Sequence, residues 1–112
     1  MTQPADPNLL KGNLDLILLE ILEDAAMYGL EIISEAQSRT AGYFDFKEGS
    51  LYPALHRLES QGWLRAEFRD SSTGGARRKY YQLTENGQRA LKEKRAAWQR
   101  FAAAMDTLRG TS

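Results

Sequence analysis

The sequence contains no cysteine, and this absence narrows the possible chemistry before any motif is considered. Disulfide frameworks, thiolate zinc sites and cysteine nucleophiles are all excluded, and the composition fits a reducing cytoplasm. Long apolar runs are also missing, since the run from Leu16 to Leu22 is interrupted by Glu20 and falls far short of the ~20 residues that a membrane span requires. We therefore predict a cytoplasmic protein without a membrane-spanning segment.

Histidine is nearly absent as well, because His56 is the only one. Glu59 and Ser60 follow it at helical spacing, a combination that often arises by chance, and neither a third metal ligand nor an oxyanion hole is apparent. The pair Gly74 and Gly75 lacks the strand-to-helix context of a nucleotide-binding motif. We predict no catalytic residue, no metal site and no cofactor.

Net charge is zero, which by itself argues against a nucleic-acid partner. The charges are nevertheless unevenly distributed: residues 1–48 hold three Lys and Arg against nine Asp and Glu, and residues 49–112 hold twelve against six. The alternative interpretation of any single run of charges is that it lies on a solvent-exposed face without a binding role.

The length of 112 residues allows one compact domain, or one domain with a protruding helix. Residues 1–8, which include Pro4 and Pro7, are expected to form a disordered tail.

Apolar residues at helical spacing predict two helices in the acidic half. The face of the first is formed by Leu14, Ile17, Leu18, Ile21 and Leu22. The second helix is expected from about Gly29 to Thr40, with Leu30, Ile33 and Ala36 facing inward and Gly42 as a plausible stop.

A third helix with an attached hairpin follows. Leu51, Leu55 and Leu58 face inward, and Pro53 is expected near the first turn, so the helix begins close to Glu48 or Ser50 and ends at Gly62. Alternation then predicts a half-buried strand over residues 63–69, with Leu64, Ala66 and Phe68 on one face, and a partner strand over residues 79–83. The Gly-rich and Ser-rich residues 70–76 between them form a mobile tip, and three adjacent cations follow it: Arg77, Arg78 and Lys79. This order predicts a recognition helix followed by a basic wing.

The last helix is expected to begin after Thr84, a suitable N-cap, and to end near Arg109, a length of about 37 Å. It would leave a stripe of large apolar residues exposed: Leu91, Trp98, Phe101, Met105 and Leu108. Because monomers seldom expose such a stripe, we predict a twofold homodimer. The alternative is that the stripe folds back on the first helix of the same chain.

The segments LYPALHRLE, GWL and GGARRKYYQLTENG together resemble the PadR family of bacterial transcriptional regulators. The resemblance extends from Gly12 to Leu108, and the single terminal helix resembles the short-tailed branch of the family. It implies a mainly helical fold with a small β-hairpin, namely a winged helix-turn-helix over residues 9–84 and a dimerisation helix over residues 85–109. It also implies repression through double-stranded DNA and a dimer formed by the first and last helices, which adds Leu14 and Leu18 to the expected interface.

The exposed face of the third helix carries the candidate DNA contacts Ser50, Tyr52, Pro53, His56 and Arg57. Ser50 and Tyr52 could donate to phosphates, whereas His56 and Arg57 could reach base edges. For Arg57 the alternative is an ion pair with a neighbouring acid, and for Tyr52 it is packing under the wing. The wing cations are expected to supply affinity that is largely independent of sequence.

Trp98 has two possible roles. It could pack in the dimer interface, or, as the family resemblance implies, it could line a pocket for a small hydrophobic or phenolic effector. The rival to the DNA-binding function is a non-enzymatic adaptor that binds a protein partner through its acidic half, and such an adaptor would not need Arg77, Arg78 and Lys79.

Overall fold

The computed structural model describes residues 3–70 and 74–110, and within them five helices surround a small antiparallel sheet. Residues 71–73, at the tip expected to be mobile, lie outside the described residues. In chain order the elements are α1 (Pro7–Gly12), α2 (Leu14–Leu22), β1 (Met27–Tyr28), α3 (Gly29–Arg39), α4 (Glu48–Ser60), β2 (Leu64–Arg69), β3 (Arg78–Leu83) and α5 (Glu85–Leu108).

The N-terminal segment differs from the disordered tail expected for residues 1–8. The Asp6 carboxylate accepts hydrogen bonds from the N–H groups of Asn8 and Leu9 at 2.8 and 3.3 Å, and this cap starts α1 with Pro7 in its first turn. Ala5 is buried, and its N–H donates to the Tyr43 carbonyl at 2.8 Å. The cap and this contact with the segment after α3 order residues 5–8, whereas residues 1 and 2 lie outside the described residues.

The core is formed where α2, α3 and α4 meet the sheet. On α2 the predicted face is buried, together with Leu19. On α3 the buried apolar residues are Ile32 and Ala36, while Leu30, expected to face inward, is exposed. Ile33 is partly buried and packs against the core as expected. The prediction for Leu30 was wrong because the buried face of α3 is centred on Ile32 and Ala36, and Leu30, two residues before Ile32, lies on the opposite side of the helix. On α4, Leu51, Leu55 and Leu58 are buried as expected.

Helix α4 begins at Glu48, but Pro53 lies in its second turn and not near its first. Proline at this position cannot donate to the carbonyl of Gly49, four residues earlier. Gly49 is exposed and has no heavy atom within 4 Å of the place where a Cβ would be. The proline is therefore tolerated at the open end of the helix.

The sheet has three strands in the order β1-β3-β2, one more than the hairpin predicted from the sequence. Met27 pairs with Tyr81, and Tyr28 pairs with Tyr80, so the short strand β1 covers the edge of β3. Because side chains alternate between faces, Tyr81 is directed into the core and is buried, while Tyr80 lies on the outer face. Phe68, expected to face the core, is 59% exposed because the hairpin extends beyond the helices at that point.

Helix α5 begins as predicted, with the Thr84 hydroxyl accepting from the Gly87 N–H at 3.0 Å. The same hydroxyl donates to the Gly62 carbonyl at 2.6 Å, and the Thr84 N–H donates to the Trp63 carbonyl at 3.1 Å. This corner fastens α5 to the end of α4. The buried residues of α5 are Gly87, Ala90 and Leu91, all in the first two turns of the helix. The radius of gyration is 15.5 Å, above the roughly 13 Å typical of a compact domain near this size, because the second half of α5 projects.

Candidate nucleic-acid interface

Helix α4 presents an exposed face on which the five candidate DNA contacts lie side by side. The opposite face is buried in the core through Leu51, Ala54, Leu55 and Leu58. Because these four residues recur at helical spacing, the candidates are brought to the surface together: Ser50, Tyr52, Pro53, His56 and Arg57. A helix with one face anchored and the other free can enter a major groove.

Tyr52 is held against the start of α3. A Cβ added at Gly29 would lie 2.3 Å from the Tyr52 hydroxyl oxygen, so the phenol rests directly on the glycine backbone. Partial burial, followed by the proximity of Glu48 and of Tyr81, raises the pKa of Tyr52. The hydroxyl therefore remains protonated at neutral pH and can donate a hydrogen bond to an anion. The alternative expected from the sequence was packing under the wing, whereas this contact is with the start of α3, and the Tyr52 side chain is still partly exposed.

Arg57 forms an ion pair with Asp15 of α2. This is the alternative that the sequence left open for Arg57, and it arises because α2 crosses the exposed flank of α4. About half of the Arg57 side chain remains exposed, and such pairs are weak in solvent. His56 has no such partner among the hydrogen bonds and ion pairs of residues 3–70 and 74–110. Its side chain is exposed on α4.

The first two wing cations lie at the open end of the hairpin. The Arg77 guanidinium is 3.3 Å from a carboxylate oxygen of Asp70 and lies over the Phe68 ring at 5.9 Å. The Arg78 guanidinium lies over the Tyr28 ring at 4.3 Å. The two interactions of Arg77 are exposed, whereas Arg78 and Tyr28 are both half-buried. Exposed ion pairs and cation–π contacts are of the weak kind that a phosphate can replace.

The third wing cation, Lys79, is directed toward α4 instead of toward the tip. Its ammonium nitrogen is 3.4 Å from a carboxylate oxygen of Glu59 and 5.4 Å from the centre of the Tyr81 ring. Burial lowers the pKa of Lys79, but Tyr81 and Glu59 together outweigh this effect and raise it. Lys79 therefore joins the wing to the end of α4 and holds the two parts of the interface in one orientation.

The outer face of the sheet contains aromatic and cationic residues that the sequence reasoning missed. The Tyr28 and Tyr80 rings meet edge to face at 5.4 Å, and the Arg69 guanidinium lies over Tyr80 at 4.8 Å. The sequence signal for this contact was the tyrosine immediately before α3, which was not assigned to a strand. The register that pairs Tyr28 with Tyr80 brings the cluster together.

The end of α5 and a neighbouring groove form a second exposed surface. Exposure of the stripe is 53% for Trp98, 67% for Phe101, 37% for Met105 and 81% for Leu108. Beside it lies a largely apolar groove of about 680 Å³ between α1, α2, the end of α3 and α5. Its aromatic lining consists of Tyr43, Phe44, Trp98 and Phe101.

Three residues expected at the dimer interface lie in the core of a single chain. Leu14, Leu18 and Leu91 are almost completely buried there, which leaves little of their surface for contact with a second copy. The reason is that α2 is apolar on two sides. Leu14 and Leu18 face the core, whereas Leu16 faces the groove.

No group of three or more His, Asp and Glu side chains within residues 3–70 and 74–110 is arranged to hold a metal ion. In the same part of the chain, no helix is both long and apolar enough to cross a bilayer.

A core-anchored helix with a free polar face, followed by a two-stranded wing and a β1 strand at the sheet edge, defines the class of winged-helix DNA-binding regulators. The profile of the transcriptional regulator PadR-like family matches residues 18–93, and the chain belongs to this family. The protein is accordingly a non-enzymatic transcriptional regulator.

Individual relatives agree with this assignment. The chain is 35% identical over 99 residues to an uncharacterised protein of Lysinibacillus sphaericus, covering 88% of this chain and 90% of that protein. A PadR family transcription regulator from hypervirulent Clostridium difficile has a TM-score of 0.75 at 35% identity, covering 87% of this chain and 98% of that chain. A PadR family regulator from Eggerthella lenta has a TM-score of 0.80 at 30% identity, covering 94% and 88%.

Proposed function

We propose that this protein is a homodimeric repressor that binds a palindromic operator through α4 and the wing. The observation that carries the proposal is the connection of these two parts by Lys79 and Glu59, 3.4 Å apart. A helix and a wing held in a fixed relation can contact a groove and the adjacent backbone at the same time. Such a protein acts where the chromosome is, which in a bacterium is the cytoplasm.

In this proposal the surroundings of each residue of α4 and the wing determine which part of the DNA it contacts. Tyr52 and Ser50 donate to phosphates, and His56 reaches base edges from the exposed face of α4. Arg77 and Arg78 exchange Asp70 and Tyr28 for phosphates or the minor groove, because a surface ion pair and a single cation–π contact are weak. Arg57 contributes only if DNA displaces Asp15. Pro53 contributes an apolar contact with the DNA on the exposed face of α4.

Dimerisation is proposed through the end of α5 and the groove beside it. The exposed stripe of one copy has the apolar character of the groove of the other, and a twofold axis would bury both sets at once. The interface residues are then Trp98, Phe101, Met105 and Leu108, together with groove residues such as Leu9, Leu16 and Tyr43. Two recognition helices related by this axis would address half-sites about one helical turn apart, roughly 34 Å.

DNA binding is tested by fluorescence anisotropy with a duplex from upstream of the coding region and with a shuffled duplex, each at two salt concentrations. Tighter, salt-sensitive binding to the native duplex is the expected result. Equal weak binding to both duplexes, or no binding to either, would favour the alternative function, that of an adaptor that binds a protein partner.

The contribution of the wing is isolated with two charge-matched variants. Arg77→Ala/Arg78→Ala removes two cations from the wing, and Arg89→Ala/Lys92→Ala removes two from the exposed surface of α5. If each wing arginine neutralises one phosphate per protomer, the slope of log affinity against log salt falls by about 4 for a dimer in the first variant. The second variant should keep the wild-type slope. If the two variants had equal slopes, we would conclude that the wing arginines do not contact DNA.

The dimer is tested by sedimentation equilibrium at micromolar concentration. Phe101→Asp places a charge in the stripe, and Ala103→Asp places the same charge on the opposite, exposed side of the projecting helix. We expect the first variant to be monomeric and the second to remain dimeric. A monomeric wild-type protein would refute this part of the proposal.

We further propose that the groove admits a small hydrophobic or phenolic effector beside Trp98. Its aromatic lining favours planar apolar molecules, and occupancy would change DNA affinity if it favoured one separation of the recognition helices. The test is quenching of Trp98 emission by planar aromatic compounds in a Trp63→Phe background, which removes the other tryptophan. An unchanged spectrum over the series would leave Trp98 as a packing residue.

A further inference from the structure

A cluster of charged side chains connects the start of the projecting half of α5 to α2. Beyond Leu91, no residue of α5 is buried among those described. Arg95, one turn later, reaches across to α2: its Nε lies 3.0 Å from one Glu20 carboxylate oxygen, and one terminal nitrogen lies 2.5 Å from the other and 3.1 Å from Glu23. Two carboxylates one helical turn apart therefore hold a single guanidinium.

The geometry of this contact restrains direction as well as distance. Glu20 accepts two hydrogen bonds from different nitrogens of Arg95, and a forked contact of this kind fixes the guanidinium plane. Hydrogen bonds to Glu20 and then Glu23 raise the pKa of Arg95, so its charge is permanent. The ammonium of the preceding residue, Lys94, lies over the Trp63 ring at 5.3 Å. Adjacent residues thus hold α5 against two different parts of the domain.

We propose that Arg95 is a positioning residue that sets the direction of α5 and thereby the separation of the two recognition helices in the dimer. This inference rests on the proposed homodimer. From Arg95 to Leu108 the helix extends about 20 Å. A tilt of roughly 10° at Arg95 would displace the end of the helix by about 3.5 Å, which is close to the rise of one base pair. The contact of Arg95 with Glu20 and Glu23, called the tether below, therefore controls displacements of about one base pair, the unit in which the spacing of half-sites changes.

The test is a distance measurement between the two copies, made in solution without DNA. The absence of cysteine allows one spin label to be attached to Ser60→Cys, at the exposed end of α4. Pulsed electron resonance then gives the distribution of distances between the recognition helices of one dimer. We expect a single narrow distribution for the otherwise wild-type protein. Arg95→Met should broaden it or shift its centre by about 3 Å.

Matched variants separate positioning from loss of charge or loss of folding. Arg89→Met removes an equal charge from an ion pair within α5, with Glu85 at 3.6 Å, and should leave the distribution unchanged. Glu20→Gln/Glu23→Gln removes the other side of the tether without altering α5 and should broaden the distribution as Arg95→Met does. The charge-exchanged pair Glu20→Arg/Arg95→Glu should restore a narrow distribution.

A second readout applies the same variants to DNA. On duplexes whose half-sites are separated by one base pair more or less, Arg95→Met should reduce the discrimination between spacings by about two- to fivefold, the range expected for a half-exposed ion pair. A distribution of wild-type width and centre in both tether variants would overturn the inference. Absence of any dipolar signal in the wild-type protein would instead refute the dimer itself, so the two failures are distinguishable.

Discussion

Gly87 is the position where a single methyl group should most clearly test the docking of α5. A Cβ at Gly87 would lie 2.0 Å from the carbonyl oxygen of Trp63 and 3.0 Å from its carbonyl carbon. Both atoms belong to the backbone, so rotation of a side chain cannot relieve the contact. The same carbonyl accepts the hydrogen bond from the Thr84 N–H at 3.1 Å. In Gly87→Ala either the helix or the corner must move.

The magnitude follows from three contributions. Overpacking typically costs about 1–3 kcal/mol, and weakening the Thr84 hydrogen bond adds up to about 1 kcal/mol. Alanine gains about 0.8–1 kcal/mol over glycine in a helix interior. Together these contributions lower the free energy of unfolding by up to about 3 kcal/mol. Gly49→Ala is the matched control, because a Cβ there has no heavy atom within 4 Å and the same helical gain applies.

The assay is urea denaturation followed by circular dichroism, with all variants at one protein concentration because the proposed dimer would unfold in a concentration-dependent way. We expect Gly87→Ala to lower the transition midpoint and Gly49→Ala to leave it unchanged or raise it. If Gly87→Ala were as stable as Gly49→Ala, the close approach of α5 to Trp63 would be wrong, and with it the origin of the projecting helix.

Three further outcomes are expected. Gly29→Ala should displace the Tyr52 ring and weaken operator binding, and it should have little additional effect in a Tyr52→Ala background; additive losses, measured by anisotropy, would show that the two residues act separately. Leu18→Ala should lower the free energy of unfolding by about 2–5 kcal/mol because the side chain is fully buried. Leu108→Asp should weaken dimerisation in sedimentation while the far-ultraviolet dichroism of the subunit is retained, since Leu108 is exposed; a loss of helical signal would contradict this assignment.

Much of the local architecture could be predicted from the sequence, because it depends on contacts between residues that are close along the chain. Alternating and helical apolar spacing predicted α2, α4 and the hairpin strands. Thr84 predicted the start of α5 through a hydrogen bond only three residues long. The start of α1 at Pro7 was not predicted because the proline residues suggested disorder, whereas Asp6 followed by Pro7 is also a helix-initiating pair.

Only the tertiary structure determined which charged residues form ion pairs and which apolar residues are buried in the core. Arg57 meets Asp15, and Arg95 meets Glu20, across 42 and 75 residues of chain, separations for which spacing carries no signal. Leu18 and Phe101 are equally apolar in the sequence, yet one lies in the core and the other in solvent. Their difference depends on the side of each helix that the sheet and α4 cover. The sequence by itself therefore determined the four longer helices, the hairpin, their order and the family, while the packing of helices on the sheet determined the short elements α1 and β1 and which surfaces remain exposed as candidates for contact with DNA and with a second copy.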